Sequence, residues 1–174
     1  MIMPNIKDAW KEHQEKKLKY DTYFLNRCAE AAAMSYCNKL QVGAVAVRDN
    51  RTILDGWNGT IPGQPNCCEE QVDCNCVEGV TSTMRPCTKC IDGKVAKTKP
   101  SVIHAERNII FYAARKGIAL EGATMYISHA PCIGCAQAMA AAGIVRVVFG
   151  EYYRDTEGID FLKKIKIKVI KVDL

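Results

Sequence analysis

Two short segments of the chain carry residue types that could bind a metal ion and move a proton. One is His104-Ala105-Glu106, and the other is Pro131-Cys132-Ile133-Gly134-Cys135. Two cysteines three positions apart at a helix start place their sulfurs on one face, close enough to share a metal ion. The exposed N–H groups of a helix start also favour thiolate over thiol. We therefore predict that Cys132 and Cys135 bind one metal ion.

A third ligand from another helix start would complete a catalytic zinc site, and His104 is the candidate. Three protein ligands plus one water molecule are the arrangement of a catalytic zinc, which lowers the pKa of that water to about 7. Glu106 lies two residues from His104 and can accept a proton and then donate it to a leaving group. The sequence thus predicts His104, Cys132 and Cys135 as zinc ligands and Glu106 as the general acid–base.

The chain contains ten cysteines, and no secretory signal accompanies them. We expect these cysteines to be reduced, so metal binding or redox chemistry explains them better than disulfide formation does. Cys28 and Cys37 are interpreted as core residues on a helix. Cys87-Thr88-Lys89-Cys90 is a good half of a four-cysteine structural zinc site, completed by Cys68 with Cys74 or Cys76. The predicted ligands of this second zinc are Cys68, Cys74, Cys87 and Cys90. They are chosen from the six cysteines of the long loop, which also include Cys67 and Cys76. The alternative is that these cysteines are reduced and bind no metal.

The elements that must position these residues follow from hydrophobic periodicity and turn signals. We predict helices over 22–37, 105–116, 132–142 and 156–164, and strands over 42–47, 52–57, 124–128, 144–149 and 165–169. Asp21 is interpreted as a plausible cap of the first helix. This order implies an α/β fold with a mixed sheet of about five strands and helices on both faces. Residues 1–174 are expected to form a single domain with a Cys-rich insertion loop at about 58–101.

The distribution of charge bears on which partners the protein could have. Net charge is +5, and five lysines lie between residues 161 and 174. Alternation over Ile165–Val169 favours an edge strand protected by lysine over an RNA-binding stripe, so a nucleic-acid partner is not expected. No apolar run approaches the roughly 18 residues of a membrane span. Residues 1–20 lack the apolar core of a signal peptide, so we expect a cytoplasmic protein, in the host cytoplasm if the source is viral.

His-Ala-Glu followed by Pro-Cys-x-x-Cys is the signature of zinc-dependent nucleobase deaminases. Over residues 22–160 the chain most resembles deoxycytidylate (dCMP) deaminases, notably those of T-even phages. The resemblance is carried by Val42-Gly43-Ala44-Val45, Gly56-Trp57-Asn58-Gly59, Asn66-Cys67-Cys68, Ala113-Ala114-Arg115, Glu121-Gly122-Ala123-Thr124-Met125-Tyr126 and Tyr152-Tyr153. It implies a three-layer α-β-α cytidine-deaminase-like fold and hydrolysis of dCMP to dUMP and ammonia. Trp57 and Ala130 depart from the family, which usually has tyrosine and often serine there.

The resemblance also implies roles for residues outside the metal centre. Asn58 would hydrogen-bond the deoxyribose, Tyr153 would form a wall or phosphate contact, and Ala105 would belong to the substrate site. Arg115 and Gly59 would lie at a subunit contact and regulatory site. The family is typically hexameric, activated by dCTP and inhibited by dTTP, with Mg²⁺ accompanying the triphosphate. Asn58 as a plain turn residue and Arg115 as a helix C-terminal charge are the alternatives.

Rival functions share part of this pattern. A tRNA or single-stranded DNA base deaminase would use the same zinc chemistry but needs a continuous basic surface. Free cytidine, other cytosine nucleotides and riboflavin-pathway substrates are alternatives within the same chemistry. A non-catalytic zinc-binding module would account for the cysteines, but a purely structural site closes its fourth position with another ligand, and Glu106 argues against this.

Overall fold

The computed structural model describes residues 6–73 and 94–173. Within these residues the helices are α1 (Ile6–Ala32), α2 (Ala105–Lys116), α3 (Ile133–Ala141) and α4 (Glu157–Lys164). The strands are β1 (Gly43–Arg48), β2 (Arg51–Trp57), β3 (Glu69–Asp73), β4 (Lys94–Thr98), β5 (Thr124–His129), β6 (Arg146–Glu151) and β7 (Lys168–Lys171). Searched over the same residues, the structure contains no helix with the length and apolar character of a membrane span.

Five strands form one mixed sheet in the order β2-β1-β5-β6-β7. β1 pairs antiparallel with both β2 and β5, whereas β5, β6 and β7 run parallel. Parallel neighbours need crossover connections, and α3 and α4 supply them. The predicted mixed five-stranded sheet is therefore confirmed. β7 is the predicted edge strand but starts at Lys168, because Lys166 turns the chain with φ of 64°.

Helices cover both faces of the sheet and give three layers. On one face, Leu25 of α1 packs in a cluster with Val45 of β1. On the other face, Ile109 of α2, Met139 of α3 and Leu162 of α4 share a larger core cluster. β1 is buried on both sides from Gly43 to Val47. The expected α-β-α layering is confirmed, and the sheet is held between two apolar cores.

Helix α1 differs from the sequence prediction at both of its ends. Asp21, interpreted as a possible helix cap, lies inside the helix and is only 4% exposed. Its carboxylate accepts hydrogen bonds from the Tyr126 hydroxyl at 2.8 Å and from Arg146 Nη2 at 2.5 Å. The helix therefore continues on the N-terminal side of Asp21. It ends at Ala32, so Cys37 lies in the connection to β1 and not on the helix.

The predicted insertion loop contains a β-hairpin made of β3 and β4. The two strands pair antiparallel from Glu69↔Thr98 to Asp73↔Lys94. Most of their side chains are exposed or half-buried, so they carry little of the apolar alternation that identifies a strand in sequence. Treating the whole of 58–101 as loop was wrong for these two segments.

Gly43 controls how closely β1 approaches α1. A Cβ atom at this position would collide with the carbonyl oxygen of Cys28 and with the backbone nitrogen of Ala32. Both obstacles are backbone atoms of a helix, which cannot rotate away as a side chain can. Glycine is therefore required for the contact between α1 and the sheet.

We predict that Gly43→Ala lowers the free energy of unfolding by about 1–3 kcal/mol, because a forced overlap in a packed core must displace the backbone. Urea unfolding followed by circular dichroism measures the change. Gly59→Ala is the matched control, since a Cβ there has no atom within 4 Å. Equal stability of the two variants would contradict the close packing inferred for Gly43.

Candidate active site

The start of α2 brings His104 and Glu106 to one end of the sheet. His104 is the N-cap residue, and its carbonyl oxygen accepts the Asn108 N–H at 2.9 Å. The Asn108 side chain donates to the Trp57 carbonyl at 2.9 Å, which ties α2 to the end of β2. Immediately before the helix, Ile103 and Gly59 exchange two backbone hydrogen bonds. The backbone around His104 is thus fixed on both sides.

The start of α3 brings the two cysteines to the same place. Cys132 is the N-cap residue, and its carbonyl oxygen accepts the Ala136 N–H at 2.9 Å. A Cβ at Gly158 of α4 would collide with the Pro131 carbonyl, so glycine lets α4 pack directly against this turn. A Cβ at Gly134 would collide with the guanidinium of Arg107. The turn that carries the cysteines is therefore closely packed on two sides.

The predicted ligand atoms converge as a tetrahedral zinc site requires. Each residue offers one ligand atom, and these three atoms lie within 4.8 Å of one another: the Sγ atoms of Cys132 and Cys135 and a ring nitrogen of His104. His104 Nδ1 lies 3.6 Å from Cys132 Sγ and 3.4 Å from Cys135 Sγ. Zn–S and Zn–N bonds of about 2.3 and 2.0–2.1 Å at a tetrahedral angle place S and N about 3.5 Å apart. These three residues fit one zinc ion and leave a fourth position open.

Hydrogen bonds among these three residues shift their pKa values. A hydrogen bond from Cys135, with a second contribution from His104, lowers the pKa of Cys132 to about 3. The hydrogen bond to Cys132 and the burial of Cys135 raise the pKa of the Cys135 thiol. The hydrogen bond to Cys132 raises the pKa of His104. Zinc requires thiolates and a neutral imidazole, so its binding here releases protons.

Glu106 is a carboxyl group buried beside the ligands. It is 3% exposed, and burial raises its pKa above the ordinary value for glutamate. It lines a cavity of about 230 Å³ together with His104 and Cys132. A carboxyl group with a raised pKa, facing a cavity beside a metal site, is suited to accept and return a proton near neutral pH.

Asn58 lies in the wall of this cavity, held by its own hydrogen bonds. Its Oδ1 accepts the Val42 N–H and its Nδ2 donates to the Leu40 carbonyl, each at 2.8 Å. Its backbone carbonyl accepts the Ser35 hydroxyl at 2.8 Å. An amide has a second donor and a second lone pair, so these bonds leave capacity for a ligand. Asn58 is therefore a pre-positioned polar group and more than a simple turn residue.

The other two residues expected at the substrate site, Tyr153 and Ala105, differ in how deeply they are buried. Tyr153 is half-buried and lines the cavity, as do Ala130 and His129. Ala105 is fully buried in the first turn of α2, between His104 and Glu106. The His129 imidazole lies 3.1 Å from the Ser128 hydroxyl, and burial lowers its pKa.

Arg115 and Gly59 line a separate surface cavity on the α2 side of β2. The Arg115 guanidinium lies 5.4 Å from the centre of the Tyr112 ring. Phe111 and Ile61 line the same cavity and are more than half exposed. Arg115 and Gly59 thus share one surface, and neither of them lines the cavity that contains Glu106.

The loop cysteines are only partly within the described residues. Cys68 is buried and disulfide-bonded to Cys37, a pairing that sequence reasoning did not predict. The expectation of reduced cysteines is therefore wrong for this pair, and Cys68 cannot bind a metal while the bond is formed. Cys37 is buried, as expected of a core residue, and Cys67 is exposed. The other predicted ligands of a second zinc, Cys74, Cys87 and Cys90, and the alternative Cys76 lie outside the described residues.

Sequence reasoning missed three charged residues that line the cavity: Lys39, Glu69 and Arg154. Lys39 precedes β1, Glu69 begins β3, and Arg154 follows β6. No local motif marks them, because each is an isolated charge in a different connection. The position of Arg154 directly after Tyr153 was the one available signal.

Residues 18–151 match the family described as the cytidine and deoxycytidylate deaminase zinc-binding region. Two curated relatives are phage proteins named deoxycytidylate deaminase. That of Mycobacterium phage D29 is 36% identical over 132 residues, covering 75% of this chain and 93% of the relative. That of Enterobacteria phage T4 is 33% identical over 158 residues, covering 79% of this chain and 82% of the relative.

The fold has a close counterpart among solved structures. The dCMP deaminase of cyanophage S-TIM5, crystallised in complex with dCMP and dUMP, is 28% identical with a TM-score of 0.68. The match covers 99% of this chain and 100% of that one. The family match over residues 18–151 includes the three predicted metal ligands, His104, Cys132 and Cys135, and also Glu106. This chain therefore belongs to the cytidine and deoxycytidylate deaminase family.

Proposed function

We propose that the protein is a zinc-dependent hydrolase that converts dCMP and water to dUMP and ammonia. The observation that carries this proposal is the convergence of His104, Cys132 and Cys135 beside the buried carboxyl group of Glu106, at a cavity large enough to admit a ligand. The names of the phage relatives and the dCMP and dUMP bound in the S-TIM5 enzyme support the substrate. The dUMP formed is the precursor for thymidylate synthesis, which is the pathway role we assign to it.

The protein residues and the metal divide the chemistry between them. A zinc ion held by the three ligands supplies a nucleophile at neutral pH by lowering the pKa of water to about 7. Glu106 would accept one proton of that water and pass it to the ring nitrogen as the oxygen bonds to the amino-bearing carbon of cytosine. It would then take the second proton from the added hydroxyl group and pass it to the amino group, whose bond to the ring breaks as ammonia leaves. Burial keeps water away from this carboxyl group, so the proton it takes up is retained for the leaving group.

Around this centre, the cavity residues would orient the nucleotide. Asn58 can offer its remaining amide donor and acceptor to the deoxyribose hydroxyl group, because its other hydrogen bonds fix its position. Tyr153 would form the wall against the sugar and phosphate. Ala105 would contribute through its backbone, since its side chain is fully buried. The cytoplasmic location expected from the sequence stays a prediction.

We further propose that the protein assembles with copies of itself and is regulated by dCTP and dTTP. The cavity beside Arg115 and Gly59 combines a cation with large exposed apolar side chains, including Phe111 and Ile61. Exposed apolar groups of this kind mark protein contacts, and a guanidinium suits a phosphate. A hexamer and Mg²⁺ bound with the triphosphate follow from the family resemblance. The second, structural zinc remains a proposal that rests on the loop cysteines of the sequence other than Cys68, which is disulfide-bonded.

Our first functional prediction concerns Glu106→Gln, which keeps the shape of the side chain but removes its ability to move a proton. We expect kcat for dCMP to fall at least a hundredfold, the usual contribution of general acid–base catalysis. Ammonia release is measured with dCMP, CMP, cytidine and a single-stranded oligonucleotide as substrates. An active Glu106→Gln enzyme would exclude the role of Glu106. If the wild-type protein deaminates the oligonucleotide but not dCMP, the alternative of a tRNA or single-stranded DNA base deaminase is supported.

Metal content separates the ligands from the acid–base residue. We predict that Cys132→Ser loses one zinc ion per chain relative to the wild type, whereas Glu106→Gln retains it. Plasma emission spectrometry of purified protein gives the ratio, and thermal unfolding checks that each variant is folded. A wild-type content of two zinc ions per chain would support the second site. Unchanged zinc in a folded Cys132→Ser protein would contradict the proposed ligand set.

Arg115→Glu tests assembly and regulation together. Reversing this charge should repel phosphate groups, so we expect the response to added dCTP to be lost and the oligomer mass to decrease. Light scattering coupled to size exclusion measures the mass, and the rate at low dCMP concentration with and without dCTP measures regulation. Arg48→Glu is the control, since this exposed arginine lies at the opposite end of β1 from the cavity. A wild-type protein that is monomeric and insensitive to dCTP would disprove this part of the proposal.

A further inference from the structure

A cavity of about 500 Å³ lies between α1 and the β1–β2 hairpin, and we call it the α1–hairpin cavity. Its volume falls in the range of about 300–1,000 Å³ that is common for small-molecule sites. None of its lining residues also lines the cavity that contains Glu106 or the cavity beside Arg115. The lining residues are Lys16, Lys19, Tyr20, Tyr23, Phe24, Asn50, Arg51 and Thr52.

Four of the α1 residues form one stripe along the helix. Lys16, Lys19, Tyr20 and Tyr23 are three or four positions apart, so their side chains share one face. The two lysines come first and the two tyrosines follow, over a rise of about 10 Å. The wall formed by α1 thus offers positive charge at one end and aromatic rings at the other.

The positive charge of the cavity is not neutralised by the protein. Lys16, Lys19 and Arg51 line it, and no acidic residue does. Within the part of the chain that the structure describes, none of these three cations forms an ion pair. On the other side of the hairpin turn, by contrast, Arg48 donates to the backbone carbonyls of residues 119 and 121. The α1–hairpin cavity therefore suits an anionic ligand.

The aromatic end of the cavity leaves large rings accessible. Tyr20 is 37% exposed and Tyr23 is 57% exposed. The Tyr23 ring packs edge-on against Phe24, at 5.1 Å between ring centres. Phe24 is buried and in turn contacts the Tyr126 ring, at 5.0 Å. The exposed tyrosine rings are thus supported from below, and such rings are surfaces on which a nucleobase stacks.

Both walls of the cavity are held in place before any ligand arrives. Asp21 lies within the stripe of α1, and its hydrogen bonds to Tyr126 and Arg146 fix the helix to the sheet. The opposite wall follows a tight turn in which Asp49 and Asn50 have φ of 53° and 56°. Two successive residues with positive φ are typical of a two-residue hairpin turn.

We propose that the α1–hairpin cavity binds a nucleoside diphosphate or triphosphate. The base would stack on the two tyrosines, and the phosphates would lie between the two lysines and Arg51. Three cations exceed the double negative charge of a single phosphate group, so a longer phosphate chain matches them better. This site goes beyond the proposed function, and its test does not require that the protein deaminate dCMP.

The ligand class is tested by isothermal titration calorimetry with ATP as the probe. ATP is chosen because dCMP, dCTP and dTTP are the proposed ligands of the other two sites. We expect ATP to bind at least tenfold more tightly than AMP, which has fewer charges, and than tripolyphosphate, which has no base to stack. Absence of ATP binding, or equally tight binding of either of the other two probes, would overturn the proposal.

The location of the site is tested with Lys19→Met, Arg51→Met and Tyr23→Leu. Each variant should weaken ATP binding about tenfold, because it removes one charge or one ring from the cavity. Lys11→Met is the matched control, since Lys11 is an exposed lysine of the same helix that does not line the cavity. Circular dichroism checks that each variant is folded. ATP affinity that is unchanged in all three folded variants would place ATP elsewhere and refute the site.

An oligonucleotide separates a free nucleotide from a nucleic-acid strand, which carries the same chemical groups. The probe is a single-stranded deoxyadenylate of eight nucleotides, titrated under the same conditions. Binding no tighter than that of ATP supports a site for the free nucleotide. Tighter binding of the oligonucleotide that the same three variants weaken would show a strand-binding site and overturn the proposal.

Discussion

The active site depends on the meeting of two helix N-termini at one end of the sheet. His104 caps α2 and Cys132 caps α3, and their ligand atoms with that of Cys135 lie within 4.8 Å of each other. Two thiols and an imidazole in so small a volume are a suitable ligand set for a zinc ion, which binds them as thiolates and neutral imidazole. The helix starts favour thiolates, and the sheet keeps both helices in position.

Close packing is what makes this meeting possible. Position 56 is a glycine, and a Cβ there would collide with the Ile109 side chain and contact the first turn of α2 too closely. Glycine also occurs at Gly158, where α4 packs against the turn that carries Cys132. Asn108 then ties α2 to the end of β2. The metal ligands are therefore positioned by backbone contacts on several elements, which limits how far they can move.

The inner end of the cavity, with the residues proposed to act in the reaction, and its mouth are built by different parts of the fold. Its inner end is built by the helix starts of the three-layer core, which the chain shares with its family. Its mouth is built by the segment before β1, the β3–β4 hairpin and the connection after β6. The disulfide-bonded pair of Cys37 and Cys68 joins two of these connections beside Asn58.

Local sequence signals predicted the residues whose function depends on spacing along the chain. His104, Glu106, Cys132 and Cys135 were identified because ligand spacing and helix starts are local properties, and the sheet followed from apolar periodicity. Lys39, Glu69 and Arg154 could not be found in this way, because they come to line one cavity only where three distant connections meet. Asp21 looked like a helix cap because its partners, Tyr126 and Arg146, are more than a hundred residues away. The weak apolar alternation of β3 and β4 likewise hid the hairpin.

The proposed function requires a zinc ion at His104, Cys132 and Cys135 for the deamination of dCMP. The most direct measurement removes the metal with a chelator, restores zinc stepwise, and records bound zinc and ammonia release at each step. We predict almost no ammonia release from the metal-free protein and a rate that rises with zinc until this site is filled. An undiminished rate without metal, or no ammonia from the fully loaded wild type, would contradict the claim.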